Sequence, residues 1–130
     1  MKIKFLGTAA AEGIPAFLCN CKVCEKSRVM GGKNLRTRSQ ALVDGDMLLD
    51  MPPDTFVHIQ SNGINLLDIS HWLITHNHAD HYYPGELAFT LNGVFAHHNN
   101  DWHGIDFYGS IDLKKDFDLY VSEKEHRKYI

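Results

Sequence analysis

The stretch LITHNHADH, residues 73–81, places three histidines and an aspartate within six positions, directly after an apolar run. His76 and His78 lie two residues apart at the end of a predicted strand, and in extended geometry that spacing puts both side chains on one face. Asp80 and His81 follow before a helical pattern begins, so the chain must turn there. Imidazole and carboxylate groups are metal ligands, and these four side chains can serve two neighbouring metal positions.

A histidine-rich surface loop is the alternative explanation for this cluster. A lone histidine would favour that explanation, but four ligand-type side chains in six positions beside an apolar strand favour a metal site. The spacing differs from the helical His-Glu-x-x-His motif, whose histidines are four positions apart. Two metals roughly 3.5–4 Å apart can share a hydroxide and stabilise an in-line displacement at phosphorus. The cluster therefore predicts hydrolytic metal chemistry.

Length and composition predict one globular domain. The chain has 130 residues, of which 44% are hydrophobic and 22% charged, and this composition is typical of a folded protein. The net charge is −3 and there is no basic block, which disfavours nucleic acid as a partner. The opening apolar run is too short for a signal peptide, and no stretch approaches the roughly 20 apolar residues of a membrane span. We expect a cytoplasmic protein with no membrane partner.

Periodicity and turn residues predict an α/β order of strand, hairpin, helix, strand, helix, strand and helix. A short helix is also predicted before the hairpin, and the strand at residues 70–76 is predicted to be buried. The predicted elements are KIKFLG (2–7), CEKSRVMGG (24–32), the hairpin SQALVDGDMLLD (39–50), PDTFVHIQSNG (53–63), SHWLITH (70–76), PGELAFTLNGVFA (84–96), IDFYGS (105–110) and a charged helix within DLYVSEKEHRKYI (118–130).

Three cysteines form a second candidate metal site at Cys19, Cys21 and Cys24. In a reducing compartment, such a cluster indicates a metal site more often than a disulfide framework. A structural zinc ion takes four ligands, so the three thiolates are one ligand short. Three free thiols are the alternative. The histidines that could supply the fourth ligand are His97, His98 and His103, and the sequence does not select among them.

The stretch THNHADH resembles the His-x-His-x-Asp-His signature of the metallo-β-lactamase superfamily. The opening KFLGTAAAEGIP, the cluster CNCKVC and the LLD ahead of the signature strand resemble one branch of that superfamily. This branch contains the phosphodiesterases related to the cyclic-ribose-phosphate phosphodiesterase of carbon–phosphorus lyase pathways. The resemblance covers most of the chain, as far as about Ser110.

The resemblance implies an α/β fold, the αββα sandwich of the superfamily, of which this chain would supply the N-terminal half. By motif match, His76 and His78 would bind a first divalent metal, and Asp80 and His81 a second, with Asp80 also acting as a catalytic residue. Both ions would be zinc or manganese, and the cysteine cluster would hold one structural zinc. Asp50, which ends the strand DMLLD, matches an early aspartate that braces the metal loop. The alternative is that Asp50 caps a helix or turn before the two prolines that follow it.

The function that the resemblance implies is that of a metallohydrolase. We expect a phosphodiesterase that acts on a small phosphate ester through a hydroxide bound by two metals. A second hypothesis is a non-catalytic remnant or split subunit that needs another chain to complete its metal site. An RNA-processing nuclease shares the signature, but the acidic net charge disfavours it. Hydrolysis of thiolesters or lactams is also known in the superfamily.

Several ligands of the superfamily have no match in this sequence: a third histidine for the first metal, a bridging aspartate and a last histidine for the second metal. Only 49 residues follow His81, and the context of Glu123–His126 does not resemble the missing motifs. We therefore expect residues 1–130 to form one metallo-β-lactamase-like domain that is incomplete at its C-terminus. A lone half would leave an apolar sheet face uncovered, so the expected partner is a second copy or a complementing C-terminal half.

Overall fold

A mixed five-stranded sheet lies at the centre of the computed structural model, which describes residues 1–90, 95–98, 101–102 and 104–120. The strands are β1 (Ile3–Gly7), β2 (Gln40–Val43), β3 (Met47–Leu49), β4 (His71–Leu73) and β5 (Asp106–Tyr108). The α-helices are α1 (Lys22–Met30), α2 (Thr55–Asn62) and α3 (Ile111–Tyr120). Short 3-10 helices cover Gly32–Asn34, Leu66–Asp68 and Pro84–Thr90. The α/β order predicted from the sequence is confirmed.

The strands follow one another across the sheet in chain order. β2 and β3 form the hairpin predicted around Asp44 and Gly45, whose φ angles of 50° and 91° are both positive. A tight turn with two positive φ angles favours Asp-Gly, because its twist matches that of the flanking strands. β1 pairs antiparallel with β2, whereas β4 pairs parallel with β3, and β5 with β4. The carboxyl ends of β3, β4 and β5 therefore meet at one edge of the sheet.

One face of the sheet carries the hydrophobic core. Leu42, Leu48, Trp72 and Phe107 stand side by side on four neighbouring strands, and Leu48 and Trp72 are buried. The rings of Trp72 and Phe107 stack with centroids 5.4 Å apart. Helix α2 lies on this face, because its His58 hydrogen-bonds to a core-facing side chain of β2. Burial of these side chains stabilises the sheet from this side.

The opposite face presents a continuous apolar row. Phe5, Ala41, Leu49, Leu73 and Tyr108 are paired in register across all five strands. Phe5 is 71% exposed, Tyr108 47% and Leu73 37%. The prediction that the β4 region is a fully buried strand is therefore wrong. Its side chains alternate between a covered and an uncovered face, so Trp72 is buried while Leu73 is exposed.

The helices agree with the sequence in part. Helix α2 is confirmed, and it ends at Gly63, whose left-handed φ of 61° suits a glycine C-cap. The helix predicted over 84–96 is a 3-10 helix at Pro84–Thr90, and residues 91–94 lie outside the described residues. Helix α3 was not predicted over most of its length, and Leu113 and Phe117 pack on the core at helical spacing. It shares only residues 118–120 with the stretch in which the charged helix was predicted, and residues 121–130 lie outside the described residues. None of the helices in the described residues is both long enough and apolar enough to cross a membrane.

Candidate metal centre

The candidate site lies where β3 and β4 end at the same edge of the sheet. Backbone hydrogen bonds join the two segments that follow these strands. The N–H of Asp50 donates to the oxygen of Leu73 at 2.8 Å, and the N–H of Met51 donates to the oxygen of His81 at 2.7 Å. His81 N–H in turn donates to the oxygen of His78 at 2.9 Å, which closes a tight turn. The loop that carries the histidines is therefore fixed at both ends against β3.

Asp50 lies beneath this loop, with an exposed fraction of only 6%. One carboxylate oxygen, Oδ1, accepts hydrogen bonds from the backbone N–H of Thr75 at 2.9 Å and from its hydroxyl at 2.7 Å. The other, Oδ2, lies 2.7 Å from Nδ1 of His81. The helix-capping alternative for Asp50 is wrong, because Asp54 is the N-cap residue of α2, whereas the alternative of a turn residue stays a prediction. Asp50 contacts the loop as expected for a brace, and its support of a bound metal stays a prediction.

The hydrogen bonds around Asp50 set the proton positions on two histidine rings. The Thr75 hydroxyl donates its proton to Asp50, so it accepts from Nδ1–H of His76, which lies 2.9 Å away. Nδ1 of His81 likewise donates to Asp50. These tautomers are assigned from the hydrogen-bond network. Both rings then keep a lone pair on Nε2, which is the form in which imidazole binds a metal.

The ligand atoms of the signature approach one another as two pairs. Nε2 of His76 lies 3.1 Å from Nδ1 of His78 and accepts a hydrogen bond from it, so His78 must release that Nδ1 proton before this nitrogen can bind a metal. Two nitrogens bound to one tetrahedral zinc at about 2.0–2.1 Å would lie about 3.3 Å apart. Nε2 of His81 lies 3.4 Å from Oδ2 of Asp80. These are the same two pairs that the resemblance assigns to the first and second metals, and the assignment itself stays a prediction.

The two pairs lie side by side. The ring of His76 is 4.6 Å from that of His78 and 4.2 Å from that of His81, measured between centroids. The described part of the chain contains one set of three or more ligand-type side chains whose ligand atoms all lie within 4.8 Å of each other. This set is the three cysteines, and the signature residues do not form such a set. The predicted assignment therefore gives each of two metal positions two ligands from the signature, fewer than the four of a tetrahedral zinc site.

The cysteine cluster is closer to a complete site. The sulfur atoms of Cys19, Cys21 and Cys24 all lie within 4.8 Å of one another, and the three cysteines are free of disulfides. Hydrogen bonds from the backbone N–H of Cys24 and then from the Cys19 side chain lower the pKa of the Cys21 thiol to about 7. A lower pKa favours the thiolate, which is the form that binds metal. The donor set fits a zinc ion.

The structure does not select a fourth ligand for the cysteines. His98 lies elsewhere, with its Nε2 3.1 Å from the oxygen of Thr90 and its ring tilted by 33° against that of Trp102, with centroids 4.7 Å apart. His97 is not part of the cysteine set. His103 lies outside the described residues.

Three residues that the sequence reading missed hold Asp50 from the core side. The backbone oxygen of Asp50 accepts from Nε2 of Gln40 at 2.9 Å and from Nε1 of Trp72 at 2.8 Å. Oε1 of Gln40 lies 2.6 Å from Nδ1 of the buried His58. A polar Gln40 inside the apolar strand QALV was the available signal, since such a residue is seldom buried without a partner.

No protein-family model matches this sequence. Coenzyme PQQ synthesis protein B from Methylorubrum extorquens is 31% identical over an alignment 94 positions long, and the match covers 62% of this chain and 31% of the relative. A zinc-bound PqqB from Methylobacterium extorquens has a TM-score of 0.69 and 24% identity, and the match covers 93% of this chain and 46% of that one.

A second solved structure, a diphosphatase from the PhnP family, has a TM-score of 0.65 and 23% identity. That match covers 90% of this chain and 44% of the diphosphatase. This chain has the metallo-β-lactamase fold. It spans just under half the length of these two structures and about a third of the curated relatives it matches. The predicted metallo-β-lactamase fold is therefore confirmed for the described residues, which match just under half of each of the two solved structures.

Proposed function

We propose that the chain is part of a metal-dependent hydrolase, and that it acts as a phosphodiesterase on a small phosphate ester. The observation that carries this proposal is the placement of two ligand pairs on one loop, with Asp50 hydrogen-bonded to the His81 ring beneath them. Two similar structures support it. One is a zinc-bound protein, and the other is a diphosphatase and so acts on a phosphorus-containing substrate. The proposed location is the cytoplasm, where reducing conditions keep the cysteines as thiols.

The donor set fits divalent ions of the zinc or manganese type. Neutral imidazoles suit zinc, and a carboxylate beside an imidazole also suits manganese. We propose that His76 and His78 hold one ion, and that Asp80 and His81 hold the other. When bound, such ions supply positive charge that activates water and polarises a phosphoryl oxygen. A structural zinc at the cysteine cluster completes the proposed metal content.

The chain's own residues supply orientation and proton placement. Asp50 and Thr75 hold the Nδ1 protons of His81 and His76, so Nε2 of each ring stays available as a ligand. Asp80 is proposed as the catalytic carboxylate as well as a ligand, because its Oδ2 lies 3.4 Å from Nε2 of His81. The acidic net charge favours a small ester, which ions can bind directly, over an RNA substrate.

A second candidate function is that of a subunit whose site another polypeptide completes. The row from Phe5 to Tyr108 supports it, because an apolar row across five strands is a typical surface for packing against a second sheet. This face adjoins the edge where Asp50 and the loop lie, so a sheet docked there could bring further ligands. The proposed occupants are a second copy or a complementing C-terminal half.

The test of the proposed hydrolase combines metal analysis with an activity assay. Purified protein is analysed for zinc and manganese by mass spectrometry and then assayed on bis(p-nitrophenyl) phosphate with each metal added. His78→Ala should lower metal content and turnover together, whereas His71→Ala serves as the control. His71 is a histidine of β4 outside the signature, and its ring faces Tyr108 and Asp106. Full metal occupancy without turnover of any phosphate ester would contradict the hydrolase assignment for this chain alone.

A further inference from the structure

Gln40 is a buried polar side chain whose amide is fully engaged. It lies on β2 with an exposed fraction of 2%. Its Nε2 donates to the backbone oxygen of Asp50 at 2.9 Å and to Oγ1 of Thr55 at 3.1 Å. Its Oε1 lies 2.6 Å from Nδ1 of His58. This amide therefore reaches the candidate metal centre through its hydrogen bond to the Asp50 backbone.

The hydrogen bonds around this amide have one consistent direction. Because Nε2 of the amide faces two oxygens, Oε1 must face His58, and Nδ1 of His58 must carry the proton. Nε2 of that ring then accepts from the Thr37 hydroxyl at 2.6 Å. The Thr55 hydroxyl donates onward to the oxygen of Pro52 at 2.6 Å. Burial lowers the pKa of His58, although the Asp54 carboxylate acts in the opposite direction. The lowered pKa favours the neutral ring that this hydrogen-bond pattern requires.

This group supports an unusual backbone conformation at Asp50. The φ of Asp50 is +63°, which non-glycine residues rarely adopt. Such a conformation persists only where its surroundings hold it, and Gln40 and Trp72 both donate to the Asp50 oxygen. With the backbone held there, the carboxylate reaches Thr75 on one side and His81 on the other.

We propose that Gln40 is a positioning residue for the candidate metal centre, acting through Asp50, and that His58 fixes the orientation of the Gln40 amide. The inference rests on the proposed function, since it concerns how that metal centre is held. Without the amide, the buried oxygen of Asp50 loses one of its two side-chain donors. The strained backbone then relaxes, and the carboxylate moves away from His81.

The test measures manganese affinity in the full chain, by the loss of the free-ion signal in electron paramagnetic resonance. Manganese favours nitrogen and oxygen ligands over thiolates, so the cysteine cluster contributes little. Gln40→Met and His58→Leu should each weaken binding by about tenfold. His58→Asn should stay near wild type, because its amide N–H replaces Nδ1–H. Ser27→Ala is the control, since Ser27 is a buried residue of helix α1 and the change removes its 2.8 Å side-chain hydrogen bond to the oxygen of Val23.

A second readout works without metal. Nitrogen-15 resonances of the His81 ring should show the Nδ1–H tautomer in wild type and a mixture of tautomers in Gln40→Met. A purely structural role would lower the melting temperature but leave both the affinity and the tautomer of the folded protein unchanged, and that result would overturn the proposal. If wild type binds no manganese, the proposed function fails, while the tautomer comparison still decides whether Gln40 is a positioning residue. If Gln40→Met does not fold, the His58→Leu and His58→Asn pair decides it.

Discussion

Nδ1 of His81 lies 2.7 Å from Oδ2 of Asp50, although the two residues are 31 positions apart in the chain. Because β3 and β4 are parallel neighbours, the residues that follow them meet at the same edge, and this contact joins the two segments. A carboxylate that accepts the Nδ1 proton of a ligand histidine fixes both its tautomer and its orientation. The contact thus links the fold of the sheet to the chemistry proposed for the loop.

Asp50→Asn should weaken metal binding while leaving most of the fold intact. The amide keeps the size of the side chain but removes its charge. Its NH2 group replaces one carboxylate oxygen, so the side chain loses the acceptor for one of the two hydrogen bonds, from His81 or from Thr75. The expected loss of zinc or manganese affinity is about 10–100-fold, measured by competition with a chelator. Asp68→Asn is the control, since Asp68 is an exposed acid at the end of a 3-10 helix. Equal losses in both variants would contradict the bracing role.

Thr75→Val should disturb His76 alone. Valine has a similar shape but cannot pass a hydrogen bond between Asp50 and Nδ1 of His76. We expect the His76 ring to lose its preferred tautomer, while the His81 ring keeps its own through Asp50. Nitrogen-15 spectra of the two rings check this. A change at His81 as large as that at His76 would show that Thr75 acts on the whole loop instead.

The cysteine cluster should react with alkylating reagents in a pH-dependent way. The pKa of the Cys21 thiol is lowered to about 7. Its thiolate therefore forms around neutral pH, whereas an ordinary cysteine forms its thiolate at a higher pH. The rate of iodoacetamide modification at Cys21, followed by peptide mass spectrometry, should reach half of its maximum near pH 7 in the metal-free protein. Added zinc should suppress the reaction. A half-maximum near pH 9 would contradict the lowered pKa.

Gly7→Ala should destabilise the protein strongly. A methyl group at Gly7 would collide with the backbone oxygen of Arg38 and would press on the His58 ring. Overpacking of this kind costs about 1–3 kcal/mol or more in the free energy of unfolding. Gly85→Ala is the matched control, because its added carbon would meet Tyr83 at an ordinary 3.6 Å. Urea denaturation of both variants checks the prediction, and similar midpoints would refute it.

The uncovered sheet face should govern association. Phe5→Lys places a charge in the exposed apolar row, so it should weaken any sheet-on-sheet assembly and increase the monomer fraction. Sedimentation velocity of wild type and variant at matched concentration checks this. Val29→Lys, at an exposed position of helix α1, is the control. A wild type that stays monomeric at all concentrations would exclude the second copy as the occupant of this face.

The sequence predicted the local features of this structure better than its long-range ones. The Asp-Gly turn, helix α2 with its terminal Gly63, and the crowding of ligands over 76–81 all depend on residues close in the chain, so their patterns are visible. The resemblance implied only that Asp50 braces the metal loop, and its contact with His81 was not predicted, since nothing local connects the two positions.

Other features depend on what each element packs against. The amide of Gln40 meets Asp50 across the hairpin, and His58 reaches it from a helix 18 residues away. The exposure of Leu73 follows from the absence of a covering layer over the described sheet face, which an apolar strand pattern does not reveal. The start of α3 is likewise set by Leu113 packing on the core, and not by the charged residues that suggested a later helix.

Anomalous diffraction at the zinc edge, from crystals grown with excess zinc, tests whether the histidine loop binds metal. We expect a zinc peak at about 2.0–2.1 Å from Nε2 of His76 and Nδ1 of His78, separate from any peak at the cysteine sulfurs. A second peak should lie beside Asp80 and His81. Anomalous density confined to the cysteine cluster, with the histidine loop free of metal, would contradict the central claim that this loop is a metal centre.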